Sequence, residues 1–583
     1  MFTGHSIPSH YLPKEAIPEG GTLAPVIIAS DKTQLTQFSG NKSAYPVYLT
    51  LGNLPKSLRR KPGHRACVLI AYLSVDKPAK KGLSKKALRL RNYEVFHRSM
   101  AVVLQPLKAA GNPHSGGLTM VGGDGTVRKV YPILAAYVAD YPEQCLVTCT
   151  KYGTCPKCRR QAGELQSTEL GEPRKQKWTL DVINGARSAS THPNGRAKNA
   201  HTLCMEHDVA GGNYEPFWAG FPLLDIHRCI TPDVLHQLYQ GVLKHLISWV
   251  QEVVGEEELD SRIRSLPPAF GVRHFSKGIS ALTQVSGVER KHIARILLSC
   301  LVGKVDSRGI VACRSMLHFI HLAQYPSHDE VTLGYMKAEL TTWHEYRSYF
   351  IDAGVRDDFN IPKFHSLLHY IDPIRWIGTT DNCNTEMFER LHIDFAKEGW
   401  RASNKRDHFP QMIKWLSRQE KVASYDFFRS WQDEEEQIPE QQMMYEGRRK
   451  NTDSRDKASS GSSKAQIFFA KEPAEPRKSL SQITITHAAI GFLPELKLYL
   501  NSLLPSHSRA SKPYALQSTL PFTSLDIWHQ FKFVPFNMFD DEADLTLQET
   551  VKALPISRKS PTPRFDTAVV LDTDEAQSTA VAG

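Results

Sequence analysis

Two short apolar runs in the N-terminal part of the chain each end at an aspartate. Residues 26–29 lead through a serine into Asp31, and residues 133–139 lead directly into Asp140. Short apolar runs are typical of buried strands. Polar side chains at strand ends gather in a crevice outside the sheet. The pattern therefore predicts a sheet with a carboxylate at the tip of two of its strands.

The segments around these two runs indicate the class of the fold. Further strands are predicted at 45–51 and 66–73, and a hairpin at 118–131 around a glycine-rich turn. Residues 84–109 predict a helix, because alanine, leucine, lysine and arginine dominate them. Strands interleaved with a helix indicate the α/β class with a mixed sheet.

The composition changes after this region. Residues 159–215 are polar and contain glycines, which predicts loops, whereas helices are expected over 231–340 and 361–431. Residues 448–480 are rich in Lys, Arg, Ser and Asp and predict a flexible linker. An apolar stripe at helical spacing supports the first helical block. It consists of Leu235, Leu238, Val242, Leu246, Trp249 and Val253.

The charge and the cysteine content narrow the class of protein. The net charge is +11 and the pI is near 9.0, a balance that favours phosphate backbones as partners. No run approaches the roughly 18 apolar residues that a membrane span needs, and the N-terminus lacks a secretory signal. Ten cysteines in 583 residues are too sparse for a disulfide framework. They are expected to be thiols or metal ligands in the cytosol or nucleus.

The two aspartates suit divalent-metal chemistry, provided that a third acid joins them. Magnesium prefers oxygen ligands, and two such ions can drive phosphodiester cleavage. The third acid is expected on a helix, where Glu386 and, as the alternative, Glu389 lie three residues apart on one face. For each aspartate alone, a turn after a strand is the simpler interpretation. Glu386 could likewise form an ordinary helical ion pair with Arg390.

A second metal site is indicated by cysteine spacing. Cys155 and Cys158 have the C-x2-C spacing that suits tetrahedral zinc, and Cys149 precedes them closely. A full zinc site needs four ligands. Two histidines, His365 and His369, could also face a metal, although a structural or phosphate-facing role is the preferred interpretation. The candidates for completing the zinc site are Cys145, His201, Cys204 and His207.

Asp233 and His236 fall on one face of a predicted helix that begins at Thr231-Pro232. The simplest interpretation is a helix start, because Thr at the N-cap, Pro at N1 and an acid in the first turn are all favoured there. Basic stretches near the sheet suit contacts to DNA phosphates, although a solvated helix face would look the same. They contain Arg59, Arg60, Lys61, Lys80, Lys81, Lys85 and Lys86.

Several motifs in this order resemble the Plavaka transposases, fungal elements of the CACTA-like (CMC) superfamily. They include Ser-Asp-Lys-Thr at 30–33, Ala-Asp-Tyr-Pro-Glu-Gln at 139–144, Cys-Pro-Lys-Cys at 155–158, Thr-Pro-Asp-Val-Leu-His at 231–236 and Glu-Met-Phe-Glu-Arg-Leu-His at 386–392. The resemblance runs from about residue 20 to 430, and Phe-Asp-Thr-Ala-Val-Val at 565–570 extends it.

The resemblance implies an RNase-H-like catalytic domain, interrupted by a large helical insertion before its last acid. Asp31 and Asp140 match the first two acids of an Asp-Asp-Glu triad, and Glu386 is chosen as the third, with Glu389 as the alternative. Asp233 and His236 match an accessory motif of the superfamily, as does the C-x2-C pair. About thirty residues precede Asp31, which is expected to leave no room for an N-terminal DNA-binding module.

These inferences predict a DNA transposase that cuts and transfers strands with Mg²⁺ or Mn²⁺ and holds a structural Zn²⁺. DNA is the expected partner, with a homo-oligomer assembled on it in the nucleus and no membrane. The alternative is an inactive or domesticated DNA-binding descendant, and a zinc-stabilised interaction protein is the third hypothesis. The predicted divisions are a lead-in at 1–23, the first part of the core at 24–158, a helical insertion at 159–360, the helical end of the core at 361–447, a linker at 448–482, and a small domain with its tail at 483–583.

Overall fold

The chain divides into two compact units, Met1–Arg448 and Arg449–Gly583. The division falls at the start of the predicted linker. The computed structural model describes residues 2–3, 17–36, 42–76, 82–122, 125–190, 199–269, 271–446, 466–470, 472–487, 491–504, 508–534, 549–554 and 564–565. The predicted DNA-contacting residues Lys80 and Lys81, and most of the motif at 565–570, lie outside these ranges.

A five-stranded mixed sheet forms the centre of the first unit. Its strands are β1 (Thr22–Ser30), β2 (Pro46–Leu51), β3 (Cys67–Tyr72), β4 (Leu118–Val121) and β5 (Val127–Val138). They run in the order β3-β2-β1-β5-β4, with β1 and β5 parallel and every other neighbouring pair antiparallel. The predicted α/β class with a mixed sheet is confirmed.

One strand differs from the sequence prediction. The predicted hairpin at 118–131 is present as the antiparallel pair of β4 and β5, but its second arm and most of the apolar run at 133–139 form one continuous strand, β5. Its first residues are partly exposed beside β4, whereas its last eight are buried. Because the change from polar to apolar composition follows this change in burial, one strand resembled two elements in the sequence.

Both faces of the sheet are covered, which explains why β1 is apolar from Leu23 to Ala29. Successive strand residues point to opposite faces. Ile28 packs in a core shared with the helix Lys85–Ala110, and Ile27 packs in a second core with the helix Thr385–His392. The sheet is therefore enclosed between a helix that follows β3 in the chain and one that comes about 300 residues later.

The prediction of loops over 159–215 is wrong in part. Two helices lie there, Gln176–Ser190 and Ala200–Glu206. The first buries only Thr179, Ile183 and Ala186. These buried residues recur at spacings of four and three, which is helical, but only one of them is a large apolar side chain, and polar residues and a glycine surround them in the sequence.

Helices dominate the remainder of the first unit, as predicted. The apolar stripe from Leu235 is continuous across a π-helical segment and the α-helix that follows it, and it packs in a core with Trp343 and Phe319. None of the described helices is long and apolar enough to span a membrane. The longer helices of this part are Val234–Leu243, Lys244–Val254, Glu256–Ser265, Gly287–Ile296, Ser307–Leu322, Glu330–Tyr346, Ile371–Ile377, Thr385–His392, Ile393–Lys397 and His408–Glu446.

The second unit contains two small antiparallel sheets and three helices in its described part. One sheet has the order Gln466–Phe469, Gln530–Val534, Glu549–Leu554, Arg564–Phe565. The other pairs Glu475–Ser479 with Ser524–Ile527. The helices are Leu480–Thr486, Phe492–Ser502 and Lys512–Gln517.

Candidate active site

The register of the two parallel strands brings Asp31 and Asp140 to the same edge of the sheet. Ala29 of β1 lies opposite Val138 of β5, so the residues two positions further along both strands leave the sheet together. Both aspartates line one pocket, and Glu389 lines it as well. Three acids from three distant parts of the chain therefore meet at this point.

Asp140 is fixed by the helix that it caps. Its Oδ1 accepts a hydrogen bond of 2.9 Å from the backbone N–H of Glu143, in the first turn of the helix Tyr141–Val147. Burial raises the pKa of the Asp140 carboxyl, and the nearby charge of Asp31 raises it further, against the effect of this hydrogen bond. Burial and the neighbouring carboxylates therefore make the Asp140 carboxyl harder to ionise.

The helix Thr385–His392 supplies the third acid, and its packing decides which glutamate faces the pocket. Phe388 and Leu391 are buried against the sheet. This orientation brings Glu389 to the pocket lining, whereas Glu386 is not part of it. The Glu386 carboxylate instead pairs with Lys291 Nζ at 2.7 Å. The structure therefore brings together Asp31, Asp140 and the alternative third acid.

His392 links the helix to the first aspartate. Its Nε2 lies 3.4 Å from Asp31 Oδ2, and its Nδ1 lies 2.9 Å from the Tyr48 hydroxyl. One ligand atom from each of Asp31, Glu389 and His392 falls within 4.8 Å of the others. His392 is buried, whereas the Asp31 side chain is 40% exposed. The histidine can accordingly hold Asp31 in place through Oδ2, while Oδ1 accepts a hydrogen bond of 2.7 Å from the backbone N–H of Lys32.

His236 lines the pocket opposite the strand ends, and Asp233 lies behind it. The helix begins later than predicted, with Asp233 and not Thr231 at its N-cap. Asp233 is buried, and its carboxylate accepts hydrogen bonds from the Thr385 hydroxyl at 2.6 Å and His236 Nδ1 at 2.9 Å. The His236 Nε2 atom lies 3.4 Å from Glu389 Oε1.

This arrangement makes His236 a cation. Burial lowers the pKa of His236, but hydrogen bonds with Asp233 and Glu389 raise it to about 10 overall. The contact with His236 lowers the pKa of Glu389 in turn. A protonated His236 therefore keeps Glu389 ionised and ties it to the buried Asp233.

A further carboxyl, Glu143, lies behind the two aspartates. It accepts hydrogen bonds from the hydroxyls of Ser30 at 2.5 Å and Tyr45 at 2.6 Å. Burial raises the pKa of Glu143 to about 8, although both hydrogen bonds oppose the shift. Ser30 also bonds the Tyr137 hydroxyl at 2.6 Å. The network connects the ends of β1 and β5 just before the two aspartates.

The pocket has the composition of a cation site. Three carboxylates line it against one protonated imidazole, that of His236, and none of the described lining residues is a lysine or an arginine. Carboxylate oxygens are the ligands that Mg²⁺ and Mn²⁺ prefer, and neighbouring carboxylates repel each other unless a cation lies between them. The raised pKa of Asp140 beside Asp31 is in part a sign of this repulsion. The residues present therefore fit a divalent metal.

A second group of potential metal ligands includes two cysteines that follow Asp140 in the chain, Cys155 and Cys158. Cys155 Sγ is 3.3 Å from His369 Nε2, and Cys158 Sγ is 3.2 Å from His365 Nε2. The four ligand atoms all lie within 4.8 Å of one another. Hydrogen bonds from Cys155 and then from both histidines lower the pKa of the Cys158 thiol. Two thiols and two imidazoles at these distances are a complete tetrahedral donor set.

The structure does not bring Cys149 into this group. Its Sγ lies 3.3 Å from His97 Nε2, and burial in a mainly apolar core raises the pKa of its thiol, so it stays protonated. The other ligand candidates are also elsewhere. His201 Nδ1 contacts the Gly211 carbonyl oxygen at 2.7 Å, Cys145 and Cys204 are buried outside the four-ligand group, and His207 is exposed.

The predicted DNA-contacting residues divide into two sets. Arg59 is buried, and its guanidinium donates to the carbonyl and side-chain oxygens of Asn382 at 3.0 and 2.6 Å, so it is not available to a phosphate. Arg60 pairs with Asp381 at 3.5 Å. Lys61 is partly exposed, and Lys85 and Lys86 are exposed at the start of a long helix, where they remain accessible.

The comparison with known families agrees with this description. The model of the Plavaka transposase family matches residues 1–250. The resemblance to a Plavaka-type transposase is confirmed. The matched segment contains Asp31, Asp140, the C-x2-C pair and the Asp233–His236 motif. No curated protein matches the chain.

Sequence reasoning missed three contributors to the site. Glu143, His392 and Thr385 were not assigned roles, although the first two lie within the motifs that carry the Plavaka resemblance. His392 could be predicted as a site residue, because it is a histidine on the same short helix as the candidate acids Glu386 and Glu389. No comparable signal marks Thr385, because its hydroxyl is a hydrogen-bond donor to a residue far away in the chain.

Proposed function

We propose that the chain is a DNA transposase with an RNase-H-like catalytic core, in which Asp31, Asp140 and Glu389 hold divalent metal ions. The observation that carries the proposal is the meeting of these three carboxylates in one pocket at the edge of the sheet. The strand order supports the proposed core, because the antiparallel strands β1 to β3 are followed, after a helix and the edge strand β4, by β5, which is parallel to β1. Glu389 replaces Glu386 as our preferred third acid.

Each residue has a distinct part in the proposed reaction. Bound Mg²⁺ or Mn²⁺ would supply activation of the attacking oxygen and stabilisation of the leaving one at the phosphodiester. Asp31 and Asp140 present their carboxylates from the strand ends, and His392 orients Asp31. His236 holds Glu389 ionised through the contact described above. The protein positions charge around a phosphate and forms no covalent bond with it.

We further propose that Cys155, Cys158, His365 and His369 hold a structural Zn²⁺. With Zn–S near 2.3 Å and Zn–N near 2.0 Å, tetrahedral geometry separates sulfur and nitrogen ligands by roughly 3.6 Å. The observed separations of 3.3 and 3.2 Å are close to this value. Such an ion would tie the segment that follows Asp140 to a pair of histidines more than 200 residues later, since Cys158 and His365 are 207 residues apart.

The basic charge supports DNA binding along the sheet, with accessible lysines such as Lys85 and Lys86 contacting the backbone. Action on chromosomal DNA would require the nucleus, and pairing of two element ends would require a homo-oligomer. A DNA-binding descendant without catalysis remains the second function to be tested. The retained acids favour the active enzyme, because a binding protein needs no such cluster.

The test is metal-dependent strand cleavage by the purified full chain. A labelled duplex carrying the terminal sequences that flank the gene is incubated with Mg²⁺ or Mn²⁺, and in parallel with EDTA. We expect cleavage that requires the metal, and binding of the same duplex that persists in EDTA and weakens steeply with salt. Binding without cleavage under every metal condition would support the binding-only descendant and refute the proposed activity.

A substitution at His236 tests how Glu389 is held. We expect His236→Asn to lower the cleavage rate by about 10- to 100-fold, because it removes the hydrogen bond and the charge that orient a metal ligand. The affinity for DNA should change little. His245→Asn is a matched control, since His245 lies outside the pocket lining. Equal rates for the parent and His236→Asn would show that Glu389 does not depend on this contact.

A further inference from the structure

A cluster of metal-binding side chains lies in the second unit, far along the chain from the residues of the active site. One ligand atom from each of Glu475, His487 and His529 falls within 4.8 Å of the others. His529 Nε2 lies 2.6 Å from Glu475 Oε1, and His487 Nε2 lies 3.6 Å from the same oxygen. One carboxylate oxygen thus faces two imidazole nitrogens.

The three side chains come from separate elements. Glu475 begins the strand Glu475–Ser479, and His487 follows the helix Leu480–Thr486. His529 lies in the short connection between the strands Ser524–Ile527 and Gln530–Val534, which belong to different sheets. An ion bound by all three would connect both small sheets of this unit with a helix.

This unit has little apolar packing to hold it together. Among its residues whose burial is described, the only buried hydrophobic side chains are Ile483 and Ala515. Small modules with so little buried apolar surface commonly rely on a disulfide or a structural metal for stability. None of the ten cysteines lies in this unit, the last one in the sequence being Cys383. A metal is therefore the available cross-link.

The three side chains of the cluster are partly shielded from solvent, with exposed fractions of 32%, 12% and 23% for Glu475, His487 and His529.

We infer that Glu475 Oε1, His487 Nε2 and His529 Nε2 form a second zinc site that stabilises the C-terminal unit. Two imidazoles and one carboxylate are a ligand set that Zn²⁺ takes, with a fourth position left for water. This site is independent of the Cys155 group and of the proposed reaction.

Lys478 is the competitor of the metal at this site. Its Nζ lies 2.6 Å from Glu475 Oε2 and 3.2 Å from His487 Nε2. The ammonium group therefore occupies the lone pair of His487 that zinc would need. Removal of this group should tighten zinc binding, whereas a cluster that is only a hydrogen-bonded network would lose a partner and gain no metal.

The experiment measures the zinc content per full-length chain after dialysis. A zinc indicator then gives the dissociation constant of the more weakly bound ion, which we expect to be the one held by Glu475, His487 and His529. We expect two zinc ions in the parent, and one in the His487→Ala/His529→Ala double variant. The control is the Tyr499→Ala/Tyr514→Ala double variant, which truncates two exposed rings of the same unit and should keep both ions. Lys478→Met should keep both and bind the weaker ion several-fold more tightly.

Cobalt distinguishes the two sites. Co²⁺ bound to thiolates gives strong near-ultraviolet charge-transfer absorption, so that band should be unchanged in the His487→Ala/His529→Ala double variant and lost in Cys158→Ser. The Lys478→Met result keeps the test decisive if the double variant is misfolded, because it predicts a gain. An unchanged zinc content in the double variant, or no tightening by Lys478→Met, would overturn this inference without touching the site of Cys158.

Discussion

Glu389→Gln is expected to lower metal-dependent DNA cleavage by on the order of 10³-fold, whereas Glu386→Gln should change it by less than about threefold. A metal in such a site supplies several kcal/mol of transition-state stabilisation, and each 1.4 kcal/mol corresponds to about a factor of ten in rate. Glu389 lines the pocket with Asp31 and Asp140. Glu386 instead forms an ion pair with Lys291, with 29% of its side chain exposed.

The comparison is well matched, because both substitutions remove one charge from the same helix and keep the size of the side chain. Asp31→Asn provides the positive control and should abolish cleavage as completely as Glu389→Gln does. DNA affinity should be similar in all three variants, because carboxylates, unlike lysines and arginines, do not bind the phosphates of the DNA backbone directly. Loss of cleavage in Glu386→Gln, with Glu389→Gln still active, would return the third acid to Glu386.

Cys158→Ser is expected to release zinc and to lower the free energy of unfolding by several kcal/mol. Structural zinc contributes directly to folding free energy, so the loss of one of four ligands removes much of that contribution. The expected measurements are a zinc content lower by one ion per chain and a lower midpoint of thermal unfolding. His365→Ala should behave in the same way, because its imidazole lies 3.2 Å from the same sulfur.

Cys149→Ala provides the control for the zinc prediction. It removes another buried cysteine from the same part of the chain, but its thiol contacts His97 and not the four-ligand group. We expect normal zinc content and only the modest destabilisation that a truncated buried side chain produces. If Cys149→Ala loses zinc and His365→Ala retains it, the ligand set proposed from the sequence is the better one.

The strands that carry Asp31 and Asp140 could be predicted from the sequence because their signals are local. A run of buried apolar residues that ends in an acid is visible without any knowledge of the partner strand. The local sequence does not decide whether Glu386 or Glu389 is the third acid. The choice depends on the rotation of one helix, which Phe388 and Leu391 fix through their packing on the sheet.

The proposed zinc ligands illustrate the same limit. Cys155 and Cys158 were found from their spacing, but their partners His365 and His369 lie 207 and 214 residues away from Cys158 and Cys155, respectively. Spacing carries no information about which distant segments meet. The sequence favours Cys149 because it is near the pair, but its side chain lies in an apolar core beside His97.

The second layer over the sheet has a consequence for protein synthesis. Asp31 and His392 are 361 residues apart, and translation at about 5–20 residues per second separates them by between about 20 and 70 s. During that interval the sheet face that contains Ile27 lacks the helix that covers it. The nascent chain therefore exposes an apolar surface to which chaperones can bind. The pocket of Asp31, Asp140 and Glu389 can be complete only after almost the entire first unit has left the ribosome.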